Sequence, residues 1–382
     1  MKGLSAQRSC SVWSMLAIVL VGLVCGWERS PCQSNPNFNI TLDLNYISAE
    51  RMIDLYEDRF VSIDEVANLR GNRIAASTTG LIAHQGAEVA DLKCFLDSLK
   101  DHAPISNDVY HLQSSREHMA DIKTFLDEIK KSSFSRKVTA TVEQIFPQNA
   151  RVDAVVPLYF VALGHENVDA FVRRIVWHRD VPQFVGENEG TLTIVVNLAK
   201  AIDYPGKPQE KLTTLLYVVA HEVFHAAFGV YKDSSPLWKR YFAKHRQPFD
   251  VLSELTQNEG IAYYLSLEQA GKGNIPYDWD AKVREVFGIY NKNAGELLSG
   301  RLTSQRASEL IRTANLSGYW ESYGAMTGMA MAREIDNHLG RAALIETIAN
   351  GPIDFFLKYI SISDQYGLPE FNKTIVERIK NE

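Results

Sequence analysis

The sequence predicts a predominantly helical α+β protein. Three observations carry that expectation. Long segments repeat apolar residues at helical spacing, only two short runs are rich in β-branched and aromatic residues, and a long apolar helix follows the second run almost directly.

Residues 1–26 stand apart from the rest. Lys2 and Arg8 open a basic stretch, "SVWSMLAIVLVGLVC" follows as an apolar core, and Val24 and Gly26 precede Trp27. The pattern is that of a secretory signal peptide. The apolar run is short for a membrane span and is interrupted by Ser14, which leaves an uncleaved anchor as the weaker alternative. The full chain has 40 basic and 46 acidic residues; losing Lys2, Arg8 and no acid leaves 38 against 46, a net charge of −8. No basic stripe survives to suit nucleic acid or an anionic membrane surface. Cys32 and Cys94 remain after cleavage, and in an exported chain they either pair or stay free.

From Asn37 to about Pro147 the chain reads as helices joined by polar turns, a helical N-terminal subdomain over 27–150. Ser48 is the expected N-cap of "ISAERMIDLYED", and Ser62 with Glu65 forms a capping box ahead of "SIDEVANL". "AEVADLKCFLDSLK" and "MADIKTFLDEIKKS" place acids early and lysines late, as the helix dipole favours. A second domain is expected over 151–382. "VDAVVPLYFVALG" (152–164) and "GTLTIVVNLAKAI" (190–202) are its strand candidates. "YPGKPQEK" then breaks the chain, with Pro208 suited to the first turn of a helix that runs to about Phe228 and stops at Gly229. "DVLSELTQNEGIAYYLSLEQAGKG" makes a further helix, and the last hundred residues are mostly helical.

The helix before Gly229 contains the chemistry. In "TTLLYVVAHEVFHAAFGVY" two histidines and a glutamate interrupt an apolar run, and each is costly to bury without a partner. His221 and His225 lie one turn apart, about 40° from alignment on one face. That is the separation at which two imidazoles hold one Zn²⁺. Glu222 points aside, within reach of a zinc-activated water as its general base. A third protein ligand is needed, and Glu259, 34 residues after His225, sits in the middle of an apolar helix face with Leu252, Leu255 and Ala262. Asp250 and Glu254 are the alternatives. Gly260 beside it is tolerated if two helices must come close at the metal.

H-E-x-x-H followed by E-G-x-A on a later helix resembles the gluzincin class of zinc metallopeptidases, and more narrowly a group of bacterial zinc-dependent peptidases. The resemblance extends to "TLTIVVNL" before the motif helix and to "GMAMAREIDNHLGRAALIETIANGPIDFFLKY". It implies a zincin-like catalytic domain with a small sheet, one Zn²⁺ per chain on His221, His225 and Glu259, Glu222 as base, and peptide bonds as substrate. It also implies that strand 191–198 is an edge strand along which an extended peptide lies. The thermolysin-like branch carries an aspartate four residues after its glutamate ligand, where this chain has Tyr263. A carboxylate that orients a histidine must then come from elsewhere, from Asp250 or Glu254, or be absent. For the oxyanion donor, "GYWESYGAM" offers Tyr319 and Tyr323, with His338 further along, and Tyr323 is the choice. Rival readings are a zincin-fold binding or scaffold protein without turnover, and a hydrolase of non-peptide amides. His165 and His178 read as surface or loop residues, while His84, His102, His111 and His118 are scattered through the helical segment, with no pair at helical ligand spacing combined with a nearby acid. Asn39, Asn315 and Asn372 open glycosylation sequons that matter only in a eukaryotic source.

Overall fold

The computed structural model describes residues 35–382 apart from 83–89, 166–167, 186–188, 271–277 and 316–318. The expected signal peptide and Cys32 lie outside the described residues; Cys94 is exposed.

The chain is mostly helical with one small mixed sheet. It opens on β1 (Phe38–Asn45), followed by α1 (Ile47–Tyr56), α2 (Ile63–Asn68), α3 (Arg70–Ile82), α4 (Ala90–Lys100), α5 (Leu112–Glu117), α6 (Met119–Lys131) and α7 (Phe134–Glu143). Four strands come next: β2 (Val152–Val161), β3 (Ala170–His178), β4 (Val181–Phe184) and β5 (Thr191–Asn197). The rest is helical: α8 (Leu198–Ala201), α9 (Pro208–Ser234), α10 (Pro236–Lys244), α11 (Pro248–Ala270), α12 (Trp279–Leu298), α13 (Ser304–Ala314), α14 (Tyr323–Leu339), α15 (Arg341–Asn350), α16 (Pro352–Tyr366) and α17 (Lys373–Lys380).

The strand order is β1-β2-β5-β3-β4, with β1, β2 and β5 parallel and β3 and β4 antiparallel to their neighbours. Two expectations are corrected here. Residues 35–382 form one compact unit, and β1 pairs with β2 from Phe38↔Val152 to Asn45↔Tyr159, so no domain boundary falls at 150. Strand 191–198 is not an edge: β5 pairs with β2 over Ile194–Asn197 and with β3 over Thr191–Val196. Its unbroken buried run, Thr193 to Asn197, is the signature of an interior strand covered on both faces.

The sheet is covered on both faces. Phe160 meets Phe134 of α7 at 6.1 Å between ring centroids, while its neighbour Val161 lies under Gly71 of α3. Helix α9 packs on α7 and β2 on one side and on α11 on the other. Its start is set by Pro208 and by the Glu210 carboxylate accepting from the Lys207 backbone N–H at 2.7 Å. It does not stop at Gly229. A glycine in helical conformation costs only about 1 kcal/mol, and burial of Phe228 and Tyr231 on either side carries the helix on to Ser234. The turn at Ser235 ends it, and the Ser235 side chain caps α10.

Helix α11 begins at Pro248, where the Asp250 carboxylate accepts from the Gln247 backbone N–H at 2.9 Å. Its centre is held against α14. A Cβ on Gly260 would collide with the backbone of Gly328, and one on Gly328 with the carbonyl oxygen of Thr256. Gly260 therefore serves the α11–α14 contact rather than an approach of α11 to α9. Ser48 falls inside α1, which begins after Tyr46, whereas Ser62 caps α2 as its spacing predicts, accepting from the Glu65 N–H at 3.3 Å.

Candidate metal centre

His221 and His225 project from one face of α9 toward the middle of α11. Their Nε2 atoms lie 3.1 Å apart, and Glu259 Oε2 lies 3.8 Å from His221 Nε2 and 3.4 Å from His225 Nε2. Ligand atoms 2.0–2.1 Å from a tetrahedral zinc are separated by about 3.3 Å, and the triangle matches that size. The three side chains are 12–17 % exposed.

The outer contacts decide which atoms face inward. His225 Nδ1 bonds Asn258 Oδ1 at 3.0 Å, and His221 makes a hydrogen bond with the backbone of Ala262. An amide oxygen and a backbone carbonyl can only accept, so each ring gives its proton outward and turns a lone pair toward the other ring and the carboxylate. Asn315 Nδ2 donates to Glu259 Oε1 at 2.7 Å, leaving Oε2 for the centre. Three acceptors converge with no donor between them, which a cation satisfies.

The charges show the same demand. Burial works to lower the His225 pKa, but the Glu259 carboxylate outweighs it and raises the ring to about 9. Burial and the neighbouring His225 push His221 down to about 3. Burial works to raise Glu259, yet the histidines and Asn315 hold it near 2. Without a metal, the trio keeps one proton where a metal charge would sit.

Glu222 is brought beside this triangle but outside it. Burial first, then the negative charges of Glu259 and Asp169, raise its pKa to about 7, while His225 and Arg173 act to lower it. Asp169 is fixed in turn, its Oδ2 accepting from the Tyr204 hydroxyl at 2.6 Å and its Oδ1 from the Ala170 N–H at 2.8 Å.

A family model described as "Putative zinc dependent peptidase (DUF5700)" matches residues 63–365. The chain belongs to this family. No curated protein and no solved structure matches it. The DUF5700 match runs from α2 to near the end of α16 and takes in His221, Glu222, His225, Asn258, Glu259 and Asn315. The family's description makes zinc the natural occupant of the triangle.

Tyr323 does not join the site. It is 3 % exposed, its hydroxyl donates to the Leu310 carbonyl at 2.8 Å, and its ring packs on Tyr290. That bond ties α14 to α13, the helix capped at its C-terminus by Asn315. His338 is stacked on Tyr366 and paired with Glu334 at 3.2 Å. The expected orienting carboxylates are also engaged elsewhere. Asp250 caps α11 and pairs with Arg378 at 2.9 Å, and Glu254 pairs with Lys232 at 2.6 Å. An amide, Asn258, orients His225 instead. Tyr263, at the position of the thermolysin-like aspartate, meets the His221 ring at 4.6 Å and 75°.

Sequence reasoning passed over Asn315, which it read only as a sequon, and Asp169 and Arg173, which carry no local pattern. Asn258 had a signal: a second polar residue beside Glu259 in an apolar helix. Loss of Asn315 should free Glu259 to rotate away from the histidines. Asn315→Ala is expected to weaken zinc affinity about 10- to 100-fold with the helices intact, as measured by competition with a zinc chelator alongside circular dichroism.

Proposed function

We propose that this protein is an exported zinc metallopeptidase of the gluzincin type, in which Glu222 is the general base for water attack on a peptide bond. The observation that carries the reading is the convergence of His221 Nε2, His225 Nε2 and Glu259 Oε2 from α9 and α11. Zinc held there lowers the pKa of a water toward neutrality and polarises a carbonyl. Glu222 takes a proton from the attacking water and passes it to the leaving amine nitrogen as the C–N bond breaks. A carboxyl with a pKa near 7 suits both transfers at neutral pH. Asn258 and the Ala262 backbone keep the imidazoles turned inward throughout.

With β5 interior, the place for an extended substrate moves to β3. β4 pairs with β3 only over Ile175–His178, so on that side residues 170–173 have no strand partner among the described residues. The Val185 N–H donates to the Arg174 carbonyl at 3.0 Å, which puts the even-numbered backbone groups of β3 on the outer side. Ala170 and Val172 therefore turn their N–H and C=O outward. Asp169 Oδ1 takes the Ala170 N–H and Arg173 Nη1 the Val172 carbonyl, which leaves the Ala170 C=O and the Val172 N–H for a substrate strand, next to two side chains whose charges act on Glu222. Strand addition there would carry a peptide bond past the base.

Removing metal with a chelator from the purified protein is expected to abolish cleavage of a fluorogenic peptide library, and one equivalent of zinc to restore it. Cleavage that survives complete metal removal overturns the proposal.

A further inference from the structure

One cation near Glu222 has no anionic partner among the described residues. The Arg173 guanidinium donates from Nη1 to the Val172 carbonyl at 2.9 Å and lies 5.4 Å from the Phe171 ring centroid and 5.6 Å from that of Phe184. A guanidinium has five donors, and this is its one protein hydrogen bond among the described residues. Among those residues no carboxylate lies within ion-pair distance of it. Asp169, the nearest candidate by sequence, spends both oxygens on Ala170 and Tyr204. Glu222 lowers its own pKa in response to Arg173 but forms no direct pair with it. Arg173 is thus half-buried, held in place by two aromatic rings and one carbonyl, and left with an unused fork of N–H groups.

Its position is specific. The Val172 carbonyl points to the outer side of β3, so the guanidinium bonded to it lies on that side, where residues 170–173 have no strand partner among the described residues. Burying a cation without a counter-ion is costly, and among the described residues only the two rings and one carbonyl offset that cost. A planar fork with donors left over is the arrangement that accepts a carboxylate through two parallel hydrogen bonds.

We propose that Arg173 is a specificity residue that binds a carboxylate of the substrate beside the scissile bond, so that the site prefers peptides carrying an anionic group there. This inference rests on the peptidase reading. The carboxylate is either the free C-terminus of the peptide, which would make the enzyme a carboxypeptidase, or an acidic side chain, which would make it an acid-directed endopeptidase.

The test uses the zinc-loaded full chain and three peptides of one sequence: amidated and without acids, the same with a free C-terminus, and the amidated form with one glutamate. Binding is measured by calorimetry on Glu222→Gln protein, with Arg173 intact, Arg173→Lys or Arg173→Met. One of the two carboxylate peptides should bind about 10- to 100-fold more tightly than the neutral one, and which one does so identifies the source. Arg173→Met should erase that preference, and Arg173→Lys should keep part of it. The comparison among peptides on Arg173-intact protein stands even if Arg173→Met fails to fold. Equal binding of all three peptides overturns the proposal, as does an equal loss for all three in a folded Arg173→Met. If the zinc-loaded wild type cleaves all three with equal kcat/KM, the peptidase reading stands and this inference falls. If it neither binds nor cleaves any peptide, both fall.

Discussion

Glu222→Gln should lower kcat for peptide hydrolysis by about 10²- to 10⁴-fold, the range that a positioned general base contributes, with zinc content unchanged. The amide keeps the size of the side chain and cannot accept the proton of the attacking water. Zinc is retained because the three converging atoms belong to His221, His225 and Glu259, and Glu222 lies beside them. The sign of the pH dependence follows from the same residue. The base works deprotonated, and burial raises its pKa to about 7. Wild-type kcat/KM should therefore fall as pH falls, on an acid limb at or below about pH 7, and that limb should vanish from the residual activity of the variant. Rate measurements from pH 5 to 9, with elemental analysis of the same samples, check both halves. A variant with near wild-type kcat would remove Glu222 from the chemistry; a variant without zinc would make it a structural residue.

Glu259→Ala should cost more zinc affinity than any change in the outer contacts, beyond the roughly 100-fold upper range for orienting partners. Wild-type protein is expected to carry one zinc per chain and the variant to lose it on dialysis. This substitution also changes the proton competition. Glu259 raises the His225 pKa to about 9, so below that pH zinc must displace a proton from the wild-type site. Wild-type affinity should weaken by about tenfold for each pH unit below 9. Once the carboxylate is gone, burial lowers the His225 pKa against only the Glu222 charge and the Asn258 hydrogen bond, so whatever affinity remains should depend less steeply on pH between 7 and 9. A steep slope in both proteins would mean that another group takes up the proton, and full zinc retention would move the third ligand away from α11.

The two histidines were legible because their relation is local. Residues four apart on one helix share a face whatever the rest of the chain does, and the structure places His221 and His225 with their Nε2 atoms 3.1 Å apart. Glu259 was legible for a different reason. A carboxylate in an apolar helix is expensive enough to need a partner, although sequence could only nominate which of three acids it was. Asp250 and Glu254 were reasonable rivals until the fold gave one to Arg378 and the helix cap and the other to Lys232.

Tyr323 shows the limit of such reasoning. Its type suited an oxyanion donor, but a phenol's direction depends on the helix it packs against, and here the hydroxyl turns to Leu310. The strand assignments failed at the same level. β2 and β5 were visible as β-branched runs, while β1, β3 and β4 were not, and no strand can be named edge or interior until its neighbours are known. The pairing of β1 with β2 spans more than a hundred residues and joins what composition alone divided at 150.

By itself, the sequence determined a predominantly helical protein with an H-E-x-x-H helix and a glutamate available to complete a zinc site. It could do so because helical periodicity and the cost of burying charge act within a few residues. Only the tertiary structure decided that Asn258 bonds His225 and Asn315 bonds Glu259, that β5 is interior to the sheet, and that Arg173 lies near Glu222 with no ion pair among the described residues. Those relations depend on contacts between elements distant in the chain, and hydrogen-bond direction and ion pairing are fixed only when those elements pack.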